Sequence, residues 1–197
     1  MPKVGMRHVV AAVIDEKASV ANQPLVYKPG MVVTRAVAAE ITYERSENKY
    51  YADDVLAESD NAATSGTISV TGSEFLPEAR VMAFGVKKVT EGGKTIYRTT
   101  SEPSPLIGLG YVTVQIYKGV YRYIANWVHK MQFALSGESA RTKGETIEWQ
   151  DETATGDIMG VAIDESGIPA FVDQIEFDTA AAAEEWLDQK AGIQKSE

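Results

Sequence analysis

A chain of 197 residues with 44% hydrophobic and 24% charged content is long enough to bury one sizeable core and too apolar to stay disordered. It has no cysteine and only two histidines, which excludes a disulfide framework, a thiolate nucleophile and a cysteine- or histidine-rich metal centre. Its net charge of −9 argues against ordinary nucleic-acid binding, which needs a basic footprint on the phosphates.

No apolar run approaches the ~20 residues that span a bilayer. The opening Met1-Pro2-Lys3-Val4-Gly5 lacks the apolar heart of a signal peptide. Both features predict a chain made in a reducing cytoplasm.

In chain order, residues 7–14 read as a first strand, followed by a polar turn at Asp15-Glu16-Lys17. Residues 18–30 are irregular, punctuated by Pro24 and Pro29-Gly30. Residues 31–43 form a long strand-like run, with Ile41 and Tyr43 on one face and Glu40, Thr42 and Glu44 on the other. Residues 44–66 lose apolar periodicity and predict a long loop. Loops of that length in compact domains are functional or disordered. This one carries Tyr50, Tyr51, Val55 and Leu56, side chains that call for an ordering partner.

Residues 67–71 alternate as a strand. Pro77 suits a first helical position, Glu78 the N-terminal dipole and Gly85 a stop, which predicts a two-turn helix offering Val81, Met82 and Phe84 for packing. Residues 86–98 read as a small hairpin turning at Gly92-Gly93, and residues 101–105 as a connector.

The clearest signal is residues 111–125, two alternating runs around Lys118-Gly119. The hairpin closes in one register, Tyr117 opposite Val120, Ile116 opposite Tyr121, Val114 opposite Tyr123 and Val112 opposite Ala125. Residues 131–135 and 146–149 continue the alternation, predicting four antiparallel strands with one buried face. Residues 158–163 and 171–177 read as a hairpin-like pair about Asp164-Glu165-Ser166-Gly167. The tail is a helix from Thr179 to Lys190, capped by Asp178 or Thr179 and stopped by Gly192, with Ala183, Trp186 and Leu187 as its apolar stripe. Two units follow, a domain over residues 1–178 and a C-terminal helix and tail over residues 179–197.

Little catalytic chemistry is legible. Gly108-Leu109-Gly110 lacks the third glycine of a nucleotide loop and precedes a strand. Asp53-Asp54 with Glu58 and Asp60 has the oxygen ligands of a hard-cation site but no calcium-loop spacing, so a solvated or interface acidic loop is the better reading. His8 and His129 sit beside no nucleophile-elbow pattern and read as structural. Tyr111, Tyr117, Tyr121, Tyr123 and Trp127 have no basic groove beside them and read as sheet core rather than a base-stacking platform. The expectation is a protein that is not an enzyme, with no catalytic residues, metal or cofactor.

Ordered motifs then resemble a family. Ala39-Glu40-Ile41-Thr42, the loop with Tyr50-Tyr51-Ala52-Asp53-Asp54, the strand Gly66-Thr67-Ile68-Ser69-Val70-Thr71 and the helix start Leu76-Pro77-Glu78 come first. Gly108-Leu109-Gly110-Tyr111, Tyr117-Lys118-Gly119-Val120-Tyr121 and Thr142-Lys143-Gly144-Glu145-Thr146-Ile147-Glu148-Trp149-Gln150 follow. Over residues 4–177 this order is similar to the major tail (tail tube) proteins of long-tailed, siphovirus-type bacteriophages. The C-terminal helix lies outside the pattern.

The resemblance implies a mainly β fold: a tail-tube-type β-sandwich or barrel with a short flanking α-helix, a long inter-ring loop and a C-terminal helix. It implies a structural subunit that forms hexameric rings stacked into a tube, whose lumen conducts DNA during genome ejection. The implied partners are the chain itself, a tape-measure protein, and tail terminator and distal tail proteins, with DNA passing through without specific binding and no membrane anchor. The implied location is the virion tail, assembled in the bacterial cytoplasm. Tyr50, Tyr51, Asp53, Asp54, Val55 and Leu56 would make the inter-ring contact.

By alternation, Glu40, Thr42 and Glu44 with Thr67, Ser69 and Thr71 share a polar face, either the lumen lining or a solvated outer surface. An acidic balance suits a lumen through which phosphate must slide. The competing readings are a monomeric β-sandwich binding or decoration module of a virion and the tube subunit of a contractile injection apparatus.

Overall fold

The computed structural model describes residues 3–46, 48–52, 55–60, 62–134 and 151–194, and shows a mainly β protein. In chain order its elements are β1 (Lys3–Val13), β2 (Met31–Arg45), β3 (Asn48–Ala52), β4 (Val55–Asp60), β5 (Ala63–Phe75), α1 (Pro77–Phe84), β6 (Lys87–Glu91) and β7 (Lys94–Arg98). Then come β8 (Ile107–Tyr117), β9 (Val120–Phe133), β10 (Glu152–Met159), β11 (Val161–Ala162), β12 (Pro169–Ala170), β13 (Val172–Phe177) and α2 (Ala180–Ala191).

Six strands close a barrel in the order β10-β5-β2-β1-β8-β9, every pair antiparallel, with β9 returning to β10 through Gly156↔Phe133, Asp157↔Gln132 and Ile158↔Met131. Closure removes most of the sheet edges that would otherwise invite aggregation. β13 lies outside the ring, paired with the first half of β9 from Val172↔Val128 to Phe177↔Tyr123.

The barrel interior is apolar because one residue in two points inward: Ile68 and Val70 from β5, Leu109 from β8, Met131 and Phe133 from β9, and Ala154 and Ile158 from β10 are all buried. α1 closes one end. Its first position is Pro77 and its stop is Gly85, a left-handed residue (φ 71°) whose N–H reaches the Arg80 carbonyl. The helix buries Ala79, Ala83 and Phe84, whereas Val81 and Met82 are only half-buried. Phe84 stacks on Phe133 at 4.6 Å and meets Phe75 edge-on at 5.2 Å.

A second apolar cluster lies outside the barrel, where α2 covers β1, β8 and β9. Leu187, Ala183 and Ala191 press on Val10, Ala12, Val112, Ala125 and Trp127. Thr179 caps the helix by accepting from the Ala182 N–H at 3.3 Å, and Gly192 (φ 65°) ends it. The 111–125 hairpin keeps its expected register, but its base is buried on both faces instead of one, with Leu109 and Tyr111 facing the barrel and Val112 facing α2, while its tip around residues 117–121 is exposed.

Other expectations are corrected. The first strand starts at Lys3, and residues 131–133 are the far end of one 14-residue strand, not a separate one. The 44–66 stretch is not a loop: β2 runs on to Arg45, β3 and β4 pair as a hairpin, and β5 begins at Ala63. The stretch has no apolar period, which hid these strands from sequence reading. The pair about 164–167 is a hairpin only over Val161↔Ala170 and Ala162↔Pro169, since β10 and β13 leave it to pair elsewhere. Residues 146–149 lie outside the described residues.

Candidate assembly surfaces

With α2 on one side, no helix among the described residues covers the opposite wall of the barrel. It consists of β2, β5 and β10, joined by Glu40↔Ser69, Thr42↔Thr67 and Ala38↔Thr71 on one seam and by Thr71↔Thr153, Ser69↔Thr155 and Thr67↔Asp157 on the other. Ile68, Val70, Ala154 and Ile158 point into the core, so the alternate residues point out. Glu40, Thr42, Glu44 and Thr67 are exposed; Ser69 and Thr71 are half-buried by their neighbours. All six residues expected on a polar face therefore stand on one outward surface.

The wall is wider than the sequence reading allowed. Thr153, Thr155 and Asp157 of β10 add a third exposed row. Their alternation with Ala154, Gly156 and Ile158 was the available signal. Hydroxyls link the rows: Thr71 and Thr153 are 2.9 Å apart, and Ser65 donates to Glu44 at 2.8 Å.

Two hairpins project from the same end of this wall. Glu44 and Met159 both pair with Ser65, so the ends of β2 and β10 lie side by side. From β2 the chain enters β3–β4, where Tyr50 pairs with Glu58, Tyr51 with Leu56 and Ala52 with Val55, with a bulge between Tyr50 and Tyr51. Tyr50, Tyr51, Val55 and Leu56 thus share a hairpin; Asp53 and Asp54 lie outside the described residues. From β10 the chain enters β11–β12, whose turn exposes Asp164, Glu165 and Ile168. Ser166 donates to Asp164 through both its N–H (2.9 Å) and its hydroxyl (2.5 Å), holding that carboxyl below the usual range.

Some strand edges remain open. β1 pairs with β2 only over Met31, Val32 and Thr34, so among the described residues no strand meets that edge of β2 from 36 to 45. The outer edge of β13 is likewise unpaired among them.

Of the aromatics expected in the sheet core, Tyr111 and Trp127 are buried and Tyr123 is half-buried, but Tyr117 and Tyr121 are exposed near the hairpin turn; the glycines and histidines weighed for chemistry have packing roles. Gly108 and Gly110 form a notch in β8: an added Cβ at Gly108 would lie 2.6 Å from Trp127 Cζ2, and one at Gly110 would lie 2.8 Å from both Leu187 Cδ2 and Trp127 Cε3. His8, at a bulge of β1 with φ 54°, sits 2.7 Å from Asp188 Oδ1 of α2, beside an Arg7–Glu184 pair at 2.6 Å. His129 is buried with Nε2 3.0 Å from Asp173 Oδ1, off the hydrogen-bond line.

Tyr27 pins the irregular 18–30 segment. Its hydroxyl donates to the His129 carbonyl at 2.8 Å and accepts from Trp127 Nε1 at 3.2 Å, and burial pushes its pKa up to about 12. Among the described residues, no cluster of three or more His, Asp or Glu is placed to hold a metal ion. No described helix is long and apolar enough to cross a membrane.

Fold and surfaces together define a closed antiparallel β-barrel with a helix on one flank, a polar wall on the other and open strand edges. No known protein-family model matches the chain, and no curated protein matches it.

Proposed function

We propose that the chain is the structural subunit of a phage tail tube, forming hexameric rings that stack around a DNA-conducting lumen. The observation that carries this reading is the asymmetry of the barrel: one flank sealed by α2, the other a three-strand polar wall holding all six residues that alternation put on one polar face, a candidate lumen lining. Such a wall, acidic at Glu40, Glu44 and Asp157 and otherwise hydroxyl-rich, suits a surface along which phosphate slides without sticking.

The edges of β2 and β13 that no strand meets among the described residues offer what ring closure requires, since a heterologous contact repeated by rotation closes a ring and repeated by translation builds a filament. The β3–β4 hairpin takes the place of the inter-ring loop. In this reading the tape-measure protein fills the lumen before DNA does, terminator and distal tail proteins bound the tube, and the subunit does no catalysis.

The reading is tested by native mass spectrometry of the intact protein under assembling conditions. Masses at one and then several multiples of a six-chain ring are expected. A ladder of dimers and tetramers, which implies two-fold contacts, would overturn the ring.

A further inference from the structure

The β6–β7 hairpin stands apart in charge. Residues 87–98 hold Lys87, Lys88, Lys94 and Arg98 against Glu91, a net +3, which leaves the remainder of this −9 chain at −12. Lys87 is neutralised by Glu102 at 2.6 Å and Arg98 by Glu91 at 2.8 Å, which relieves the direct opposition of Lys87 and Arg98 across the ladder. Lys88 and Lys94 have no ion-pair partner among the described residues.

This hairpin is also under-packed. All five residues of β7 are exposed, including Ile96 and Tyr97, and only Val89 of β6 is half-buried. A two-stranded ribbon wet on both faces is marginal by itself. A partner surface would stabilise it, and charge complementarity says that surface is acidic with an apolar element.

We infer that the β6–β7 hairpin of one copy docks onto the acidic β11–β12 turn of a second copy, with Lys88 and Lys94 against Asp164 and Glu165 and with Ile96 and Tyr97 beside Ile168. Ile168 is 71% exposed, the most exposed of the large apolar side chains. The β11–β12 turn follows β10, whose last residue pairs with Ser65 of β5, and the β6–β7 hairpin follows α1 beyond Phe75.

Repeated head-to-tail, the contact sets the basic hairpin of each copy against anions of the next. Subunits of charge −9 repel one another, and a segregated basic element offsets that repulsion where copies touch. The inference rests on the tube reading for its axial direction only, because a head-to-tail contact also stands without a tube.

The experiment is sedimentation of the full chain at low salt in three forms: unaltered, Lys88→Glu/Lys94→Glu, and Asp164→Lys/Glu165→Lys. Each double variant alone should need about tenfold more protein to associate, and an equimolar mixture should regain association because each then offers the charge the other lacks. Raising salt until the Debye length falls to about 3 Å should weaken the unaltered chain in the same direction. Unchanged tubes from either double variant would overturn this contact and leave the tube reading standing. Salt-sensitive head-to-tail oligomers without tubes, rescued by the mixture, would support the contact and overturn the tube. A mixture that does not associate overturns the contact.

Discussion

Thr42 and Thr67 face each other across β2 and β5, in the middle of the barrel wall that no described helix covers. Neither fills the core; Ile68 and Val70 do that from the other side of β5. The pair therefore serves the outside of the barrel, and in the tube proposed above that outside would line the lumen. The chain has no cysteine, so a lone Thr67→Cys is a clean reporter. In assembled polymer it should react with a small maleimide and resist one carried on a large dextran, whereas Glu185→Cys on α2 should react with both. Equal labelling of both sites by the dextran reagent would place the wall on the outside.

Tyr50→Ser/Tyr51→Ser falls in the β3–β4 hairpin, whose strands take no part in the pairing that closes the barrel. The expected result is a chain with unchanged monomer melting that forms rings but stacks poorly. Polymer lengths like those of the unaltered chain, seen by electron microscopy, would remove the hairpin from the stacking contact.

The flank helix is held by a tight fit. Leu187→Ala should cost about 2–5 kcal/mol in denaturant unfolding, because Leu187 is fully buried against β8 and β9. Gly110→Val should cost about 1–3 kcal/mol by overpacking the notch under Trp127 and Leu187. Thr179→Ala removes the cap and should cost about 1 kcal/mol. If Leu187→Ala and Gly110→Val leave the unfolding midpoint unmoved, α2 is not docked as described.

Alkaline pH should destabilise the fold through two phenols. Burial raises the pKa of Tyr27 and of Tyr111 from 10.0 to about 12. Below pH 10 both are neutral in either state; between 10 and about 12 the unfolded chain loses protons that the folded chain keeps, so stability falls as pH rises. Ultraviolet difference titration should show Tyr27 and Tyr111 ionising later than an exposed tyrosine, and Tyr27→Phe should remove one late step. A single transition near 10 for every tyrosine would contradict the burial.

Local signals carried a good part of this fold. The β8–β9 register was legible because a two-residue turn at Lys118-Gly119, both with positive φ (49° and 80°), admits one alignment of the flanking alternation. Pro77, Gly85, Thr179 and Gly192 likewise mark both helices. What stayed hidden is non-local or patternless. Barrel closure rests on three residue pairs between β9 and β10, and nothing in either strand names its partner. β3–β4 carries a bulge at Tyr50/Tyr51 that breaks period two.

The polar wall was half legible. Glu40, Thr42 and Glu44 alternate with Ile41 and Tyr43, and Thr67, Ser69 and Thr71 with Ile68 and Val70. That these two rows adjoin each other and a third on β10 is a fact of pairing that alternation alone does not supply. The glycines of Gly108-Leu109-Gly110 could be removed from nucleotide chemistry by spacing, yet their purpose needed Trp127 and Leu187 in place.

The central claim is best tested by electron microscopy of the purified full chain across a concentration series at low salt. The account predicts hollow tubes with a regular axial repeat and six-fold end views. Single particles at every concentration, or solid fibres without a lumen, would contradict it.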